Sequence, residues 1–166
     1  MVNKTLMEVP FYRYPYAFTE HKEEILDAMH SVLEKGAFIL QEDLKQFELE
    51  VAAFANSKHA IGVADGTESM ILALLAAGIG SGDEVLFSSH TYIATADAIH
   101  FVGATPVPCD IGPDKLLDSE DARLRITSKT KAIMPTQLNG RVCDMNSIQN
   151  LANEHNLIVI EDAAQA

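Results

Sequence analysis

Chemistry is most sharply concentrated in LIVIEDAAQA, residues 157–166, where an apolar, strand-like run ends on two adjacent carboxylates, Glu161 and Asp162. An acid directly behind four apolar strand residues is expected to be partly buried, and a buried charge needs a cation or strong hydrogen bonds beside it. No Lys or Arg lies near Asp162 in sequence. The protonated nitrogen of a pyridine ring would supply the cation, and the pairing would keep the ring positive so that it can accept electrons from a carbanion. The same residue would also serve as the N-cap of a following helix with AAQA as its first turn. The spacing is compatible with both.

Three other apolar runs also lead into polar segments. After HAIGV comes Ala64-Asp65-Gly66-Thr67, after EVLFS comes Ser89-His90-Thr91-Tyr92, and after TKAIMP comes Thr136-Gln137-Leu138-Asn139-Gly140. Gly66 and Thr67 stand at the opening of a helix, where unpaired backbone N–H groups and the positive end of the helix dipole suit a phosphate. A glycine and a threonine at that place are equally compatible with a plain turn and cap. Tyr92 opens the next helix; its ring could lie against a flat ligand or pack on the sheet.

The elements that must hold these residues alternate. Thr19 is expected to cap a helix carrying Ile25, Leu26, Met29, Val32 and Leu33 at helical spacing and stopping at Gly36, and a second helix is predicted over 42–54. Before them, residues 1–18 carry Pro10, Phe11, Tyr12, Tyr14, Pro15, Tyr16 and Phe18, a composition that favours an extended arm. From residue 59 onward the predicted order is strand HAIGV, helix TESMILALLAAG, strand EVLFS, helix YIATADAIHFVG, strand TPVPC, a loop over 111–128 with a short helix near Ser119, strand TKAIMP, helix DMNSIQNLANEHN opened by Asp144, and strand LIVIE. Strands alternating with helices of this length predict an α/β fold, a three-layer sandwich with a mainly parallel sheet flanked by helices. Ligands of such sheets bind beyond the carboxyl ends of the strands, which is where all four polar segments fall.

The composition narrows the class further. Of 166 residues, 48% are hydrophobic and 22% charged, the balance of a globular protein with a proper core. With 12 Lys and Arg against 24 acids, the formal charge of −12 argues against a nucleic-acid surface, because phosphate binding needs clustered cations. Cys109 and Cys143 are too few for a disulfide-stapled domain and lack metal-ligand spacing, so no metal is expected and the thiols read as reduced. MVNKTLMEVPFYRYP has no apolar core of a signal peptide, and the run from Met70, MILALLAAGIG, is too short for a bilayer, so the expected setting is cytoplasmic, away from membranes.

Taken together, GAFILQEDLKQFE, DGTESMILALLAAGIGSGDEV, TYIATADAIHFVGATPVPCDI and GRVCDMNSIQNLANEHNLIVIEDAAQA resemble the DegT/DnrJ/EryC1/StrS sugar aminotransferase family of fold type I pyridoxal phosphate enzymes, over nearly the whole chain. The resemblance implies a layout of an N-terminal arm and helix over 1–36 and the N-terminal part of a cofactor-binding large domain over 37–166. It implies that Gly66, Thr67 and the amide of Glu68 hold the phosphate of pyridoxal 5'-phosphate, that Tyr92 stacks on the ring, that Asp162 binds the ring nitrogen and that Gln165 sits near the ring hydroxyl. The implied reaction moves an amino group from an amino acid donor, L-glutamate, onto the ketone of a nucleotide-linked sugar, in a homodimer. Gln41 stands where the family often has glycine, and QLNGRVCDM lacks the histidine often found before the glycine, so sugar contacts in that loop are not carried over.

By the same resemblance the Schiff-base lysine and the C-terminal half of the site lie beyond Ala166, and the 166-residue chain alone is expected to be inactive. None of its own lysines is placed to substitute: Lys129 and Lys131 precede the TKAIMP strand, at the wrong edge of the sheet. Two alternatives stand beside the aminotransferase. One is a sugar dehydratase of the same family, in which histidine replaces the lysine; the other is a non-catalytic fragment or binding module. A doubly wound dinucleotide-binding domain is disfavoured because no strand is followed by GxGxxG.

Overall fold

The computed structural model describes residues 9–10, 12–36 and 38–166. The chain forms two compact units, residues 1–62 and 63–166, so the observed boundary falls after Gly62. The beginning of the expected arm, with Phe11, lies outside the described residues.

Among its described residues the first unit contains three helices, α1 Tyr14–Glu20, α2 Lys22–Glu34 and α3 Glu42–Phe54. α1 replaces the later part of the expected extended arm. Pro15 sits in its first turn, where a proline gives up no intrahelical hydrogen bond and already has a helical φ. Thr19 is therefore inside a helix rather than capping one: its hydroxyl donates back to the Pro15 carbonyl at 2.8 Å, and α2 starts after His21. Gly36, at φ +66°, ends α2 in the left-handed conformation that favours glycine. HAIGV is not a strand. It has no sheet partner among the described residues, and the Gly62 amide donates instead to a Glu48 carboxylate oxygen at 2.7 Å.

The second unit is the α/β layer structure. Its strands are β1 Glu84–Ser88, β2 Thr105–Cys109, β3 Thr130–Met134 and β4 Ile158–Val159, all parallel, in the spatial order β2-β1-β3-β4. Alternation along the strands divides the core between two faces. Val85 and Phe87 of β1 with Ala132 and Met134 of β3 pack on one side with Met70, Leu74, Ala98 and Ile99; these come from α4 Gly66–Ala76 and α5 Ala94–Phe101. Leu86 and Ile133 point to the other side, onto Ala122, Ile148 and Leu151 from α6 Ser119–Arg125 and α7 Met145–His155. β2 is an edge in this sheet. Thr105 N–H donates to Asp83 O and Cys109 O accepts from Ser89 N–H, so the odd-numbered residues bond to β1 and the N positions of Pro106 and Pro108 face the open side, where no donor is needed.

β4 is shorter than LIVIE because of one proline. In parallel pairing the Ile160 amide donates to Ile133 O at 3.1 Å and the Asp162 amide to Pro135 O at 3.0 Å, but Pro135 has no N–H to return to Ile160. The pairing resumes one step on, where the Gln137 amide donates to Asp162 O at 2.9 Å. Asp162 is thus locked to β3 by two backbone hydrogen bonds although regular strand ends at Val159.

Candidate active site

The connection from β1 to β2 leaves the sheet in one direction and that from β3 to β4 in the other, so the carboxyl ends of β1 and β3 flank the switch point where open parallel sheets bind ligands. A pocket of about 310 Å³ lies there. Gly66, Thr67 and Met70 of α4 form one wall, Thr91, Tyr92 and Ala94 a second, and Thr136, Asp162, Ala164 and Gln165 a third.

Asp162 is 7% exposed. Its position follows from the two-residue period of the strand: Asp162 and Thr136, in parallel register, share the sheet face covered by α4 and α5, whereas Glu161 points to the opposite face. There Glu161 accepts from Gln137 Nε2 at 2.7 Å, and Gln137, itself 2% exposed, accepts from the Cys143 amide at 2.7 Å. The two adjacent acids are therefore not a catalytic pair. Asp162 Oδ2 accepts from the Thr95 hydroxyl at 2.7 Å, and Oδ1 from the Ala164 amide at 3.3 Å. The second bond is the local capping anticipated for this residue, and residues 163–166 form a turn, with Ala166 N–H on Ala163 O at 3.1 Å. Among the described residues no cation pairs with the carboxylate, so these two hydrogen bonds are the compensation it has for its burial.

At the opening of α4, Asp65 is the N-cap. Its Oδ1 accepts from the Glu68 amide at 2.9 Å while Glu68 Oε2 accepts from the Ala64 amide at 2.8 Å, a reciprocal capping pair. The structure therefore brings Gly66 and Thr67, but not Glu68, to the pocket wall, and the Glu68 amide is already engaged. The amides of Gly66 and Thr67 are first-turn donors without intrahelical acceptors. A Cβ built on Gly66 would meet only Ala164 Cβ, at 3.9 Å, so the backbone is bare toward the pocket. Tyr92 is 69% exposed, which excludes the reading of a ring buried against the sheet and leaves its face open beside the pocket. Gln165 lies on the third wall and is tied to the loop after β3 by Asn139 N–H on its Oε1 at 3.3 Å and Gly140 N–H on its backbone oxygen at 2.8 Å.

Three threonines to which no sequence motif assigns a role, Thr91, Thr95 and Thr136, also meet at this site. The three hydroxyls run in a line to Asp162: Thr136 to Thr91 at 2.9 Å, Thr91 to Thr95 at 2.8 Å, Thr95 to Asp162 at 2.7 Å. The available signal was Thr91 and Thr95 at i,i+4 spacing where a helix opens. The two thiols stand apart from this chemistry. Burial, reinforced by nearby Asp121, pushes Cys109 up to about 12, and burial raises Cys143 as well, so neither is a ready nucleophile.

A parallel α/β domain thus brings an anion-ready helix start, an open aromatic ring and a buried carboxylate together at its switch point. The chain belongs to the DegT/DnrJ/EryC1/StrS aminotransferase family, whose family model matches residues 19–166. It is similar to dTDP-3-amino-3,4,6-trideoxy-alpha-D-glucose transaminase of Streptomyces venezuelae, with 42% identity over 159 residues covering 95% of this chain and 42% of that protein. It is also similar to GDP-perosamine synthase of Caulobacter vibrioides, with 44% identity over 148 residues covering 87% of this chain and 38% of that protein. Among solved structures, S. venezuelae DesV in complex with a ketimine intermediate superposes with a TM-score of 0.94 at 42% identity, covering 95% of this chain and 43% of that one. NtdA of Bacillus subtilis with bound cofactor PMP gives 0.93 at 33% identity, covering 99% and 38%. The chain spans about two fifths of the length of these relatives.

Proposed function

We propose that the protein to which this chain belongs is a pyridoxal phosphate-dependent aminotransferase that transfers an amino group from an amino acid donor, L-glutamate, to the ketone of a nucleotide-linked sugar, in amino-sugar or cell-surface polysaccharide biosynthesis in the cytoplasm. The observation that carries the reading is Asp162: a 7%-exposed carboxylate at a pocket wall, facing no cation among the described residues, is matched by a protonated pyridine nitrogen. The names of the relatives support the reaction class and the nucleotide-sugar substrate, since dTDP-, GDP- and UDP-linked amino-sugar enzymes are among them.

The pocket residues take separate tasks in this reading. The free first-turn amides of Gly66 and Thr67, with the Thr67 hydroxyl, hold the phosphate at the positive end of α4; the Glu68 amide would join them only by leaving Asp65. Tyr92, open beside the pocket, would stack on the ring. Gln165, steadied by Asn139 and Gly140, faces the ring hydroxyl. Asp162 holds the proton on the ring nitrogen. The bound cofactor supplies an electron sink for the carbanion formed when the donor loses its α-proton.

Among the described residues no lysine lines the pocket, and Lys131, at the start of β3, lines a separate pocket with Asp83 and Asn156 at the amino end of the sheet. The Schiff-base lysine is accordingly assigned to a part of the protein outside residues 1–166, and the 166-residue chain alone is expected to turn nothing over; turnover by it would remove that assignment. The full-length protein is expected to be a homodimer, which light scattering would show as twice the monomer mass.

The decisive experiment incubates full-length protein with pyridoxal phosphate and L-glutamate and follows conversion to the pyridoxamine absorbance, then adds keto-sugar nucleotides to reverse it. Absence of both changes sinks the proposal. A structural neighbour, GDP-4-keto-6-deoxymannose-3-dehydratase with a trapped PLP-glutamate geminal diamine, matches at TM-score 0.79 and 25% identity and keeps the dehydratase alternative in view. A deoxygenated product in place of an aminated sugar would select it.

A further inference from the structure

The hydroxyls beside Asp162 form a chain whose sense is fixed by counting protons. A threonine hydroxyl donates one hydrogen bond only. Thr95 spends its proton on Asp162 Oδ2 at 2.7 Å, so in the 2.8 Å contact between Thr91 and Thr95 the donor is Thr91. Thr91 then has no proton left, and Thr136 donates to it at 2.9 Å. Every donor therefore points toward the carboxylate. This sense requires an acceptor at the end of the line, and Asp162 Oδ2 is that acceptor.

Thr95 is fully buried and takes no part in lining the pocket, whereas Thr91 and Thr136 are on its wall. α5 buries Ala94, Thr95, Ala98 and Ile99 toward the sheet, and Thr95 is the one polar residue among these four. A valine of the same shape would satisfy the packing. The hydroxyl is accounted for by its two partners, Thr91 and Asp162. The other charged group on this segment, Glu161, is turned to the opposite face and held by Gln137, so the Thr95 hydroxyl and the Ala164 amide are the donors on the Asp162 carboxylate.

We infer that Thr95 is a positioning residue for the cofactor ring: by donating to Asp162 Oδ2, at the end of a one-way chain from Thr136 through Thr91, it keeps the carboxylate ionised and aimed, and so keeps the proton on the ring nitrogen. The inference rests on the proposed role of Asp162. A donor bond to the charged form of an acid favours that form; removing the bond makes the carboxylate more basic and draws the shared proton from the ring toward Asp162.

The test loads full-length protein with pyridoxal phosphate labelled with 15N in the ring and reads the nitrogen shift at fixed pH in the unmutated protein and in Thr95→Val, Thr95→Ser, Thr91→Val and Asp162→Asn. A hydrogen bond to a charged group corresponds to about a tenfold change in such a proton equilibrium. Thr95→Val is expected to move the ring about tenfold toward the unprotonated form, Thr95→Ser to restore the unmutated signal, and Thr91→Val to move it the same way by less. If Thr95→Val does not fold, Thr91→Val carries the same reading. A ring nitrogen shift in folded Thr95→Val unchanged from the unmutated protein, or in Thr91→Val where that is the only folded variant, overturns the inference while Asp162→Asn still moves it to the unprotonated position. An unprotonated ring in the unmutated protein, or one indifferent to Asp162→Asn, overturns the function proposed for Asp162 and the inference with it.

Discussion

At the residue scale, the decisive contrast is between neighbours. Glu161 and Asp162 have the same charge and differ by one position, yet strand alternation sends one to a buried glutamine and the other to the pocket. Gly66 is the counterpart on the phosphate wall. Since its Cβ direction is open to ordinary contact with Ala164, Gly66→Val is expected to fold normally while filling the space a phosphate would use. Circular dichroism should be unchanged and pyridoxal phosphate affinity in the full-length protein should fall by at least about tenfold, the equivalent of about one charge-assisted hydrogen bond. Unaltered affinity would show that the phosphate lies elsewhere. Tyr92 also belongs to this scale: its ring lies open at the pocket, so Tyr92→Ala is expected to leave stability within about 0.5 kcal/mol in denaturant titrations and to weaken cofactor binding.

At the scale of elements, α4 and β3 set the geometry of two walls. The reciprocal pair of Asp65 and Glu68 fixes where α4 begins and leaves Gly66 and Thr67 as the exposed donors. Asp65→Ala removes that cap and is expected to destabilise the protein by about 1 kcal/mol, seen as a lower urea midpoint with an unchanged slope. β3 holds Asp162 by the pairing beyond Pro135, and its inward Ile133, fully buried against α7, anchors the other layer. Ile133→Ala should be worse by about 2–5 kcal/mol through lost burial and a cavity. Helical periodicity and capping residues made α3, α4 and α7 legible in sequence, with Asp144 capping α7 as expected. The misreadings have local causes: Pro15 initiates a helix that its aromatic neighbours disguised, and HAIGV has strand composition without a strand beside it among the described residues.

At the scale of the whole molecule, both thiols are free and buried, and Cys109 lies raised to about 12 by burial and then by Asp121. The sign of the linkage follows directly. An unfolded thiol titrates near 9 and the folded one near 12, so the unfolded chain loses its proton first and stability falls as pH rises between those values, being fully present below. Urea midpoints measured across that window should decline, and Cys109→Ala should decline less steeply than the parent; an equal slope in both would assign the alkaline loss to other groups. Below pH 9 the thiols are expected to resist alkylation until the chain is unfolded.

What the sequence determined by itself was the order of elements, the parallel three-layer plan and the polar segments at strand ends, because these depend on local periodicity, turn chemistry and composition. It also supplied Gly66, Thr67, Tyr92, Asp162 and Gln165, all of which line one pocket. What only the tertiary structure decided was which contacts those residues make. Thr95 and Asp162 are 67 positions apart, and their 2.7 Å hydrogen bond exists because α5 lies over the face that strand register assigns to Asp162. β4 was cut short at Pro135 for the same kind of reason: which donors are still free once strands have been brought together is a property of the fold, whereas Glu68 lost its open amide to a capping pair with Asp65 that their three-residue spacing already encodes.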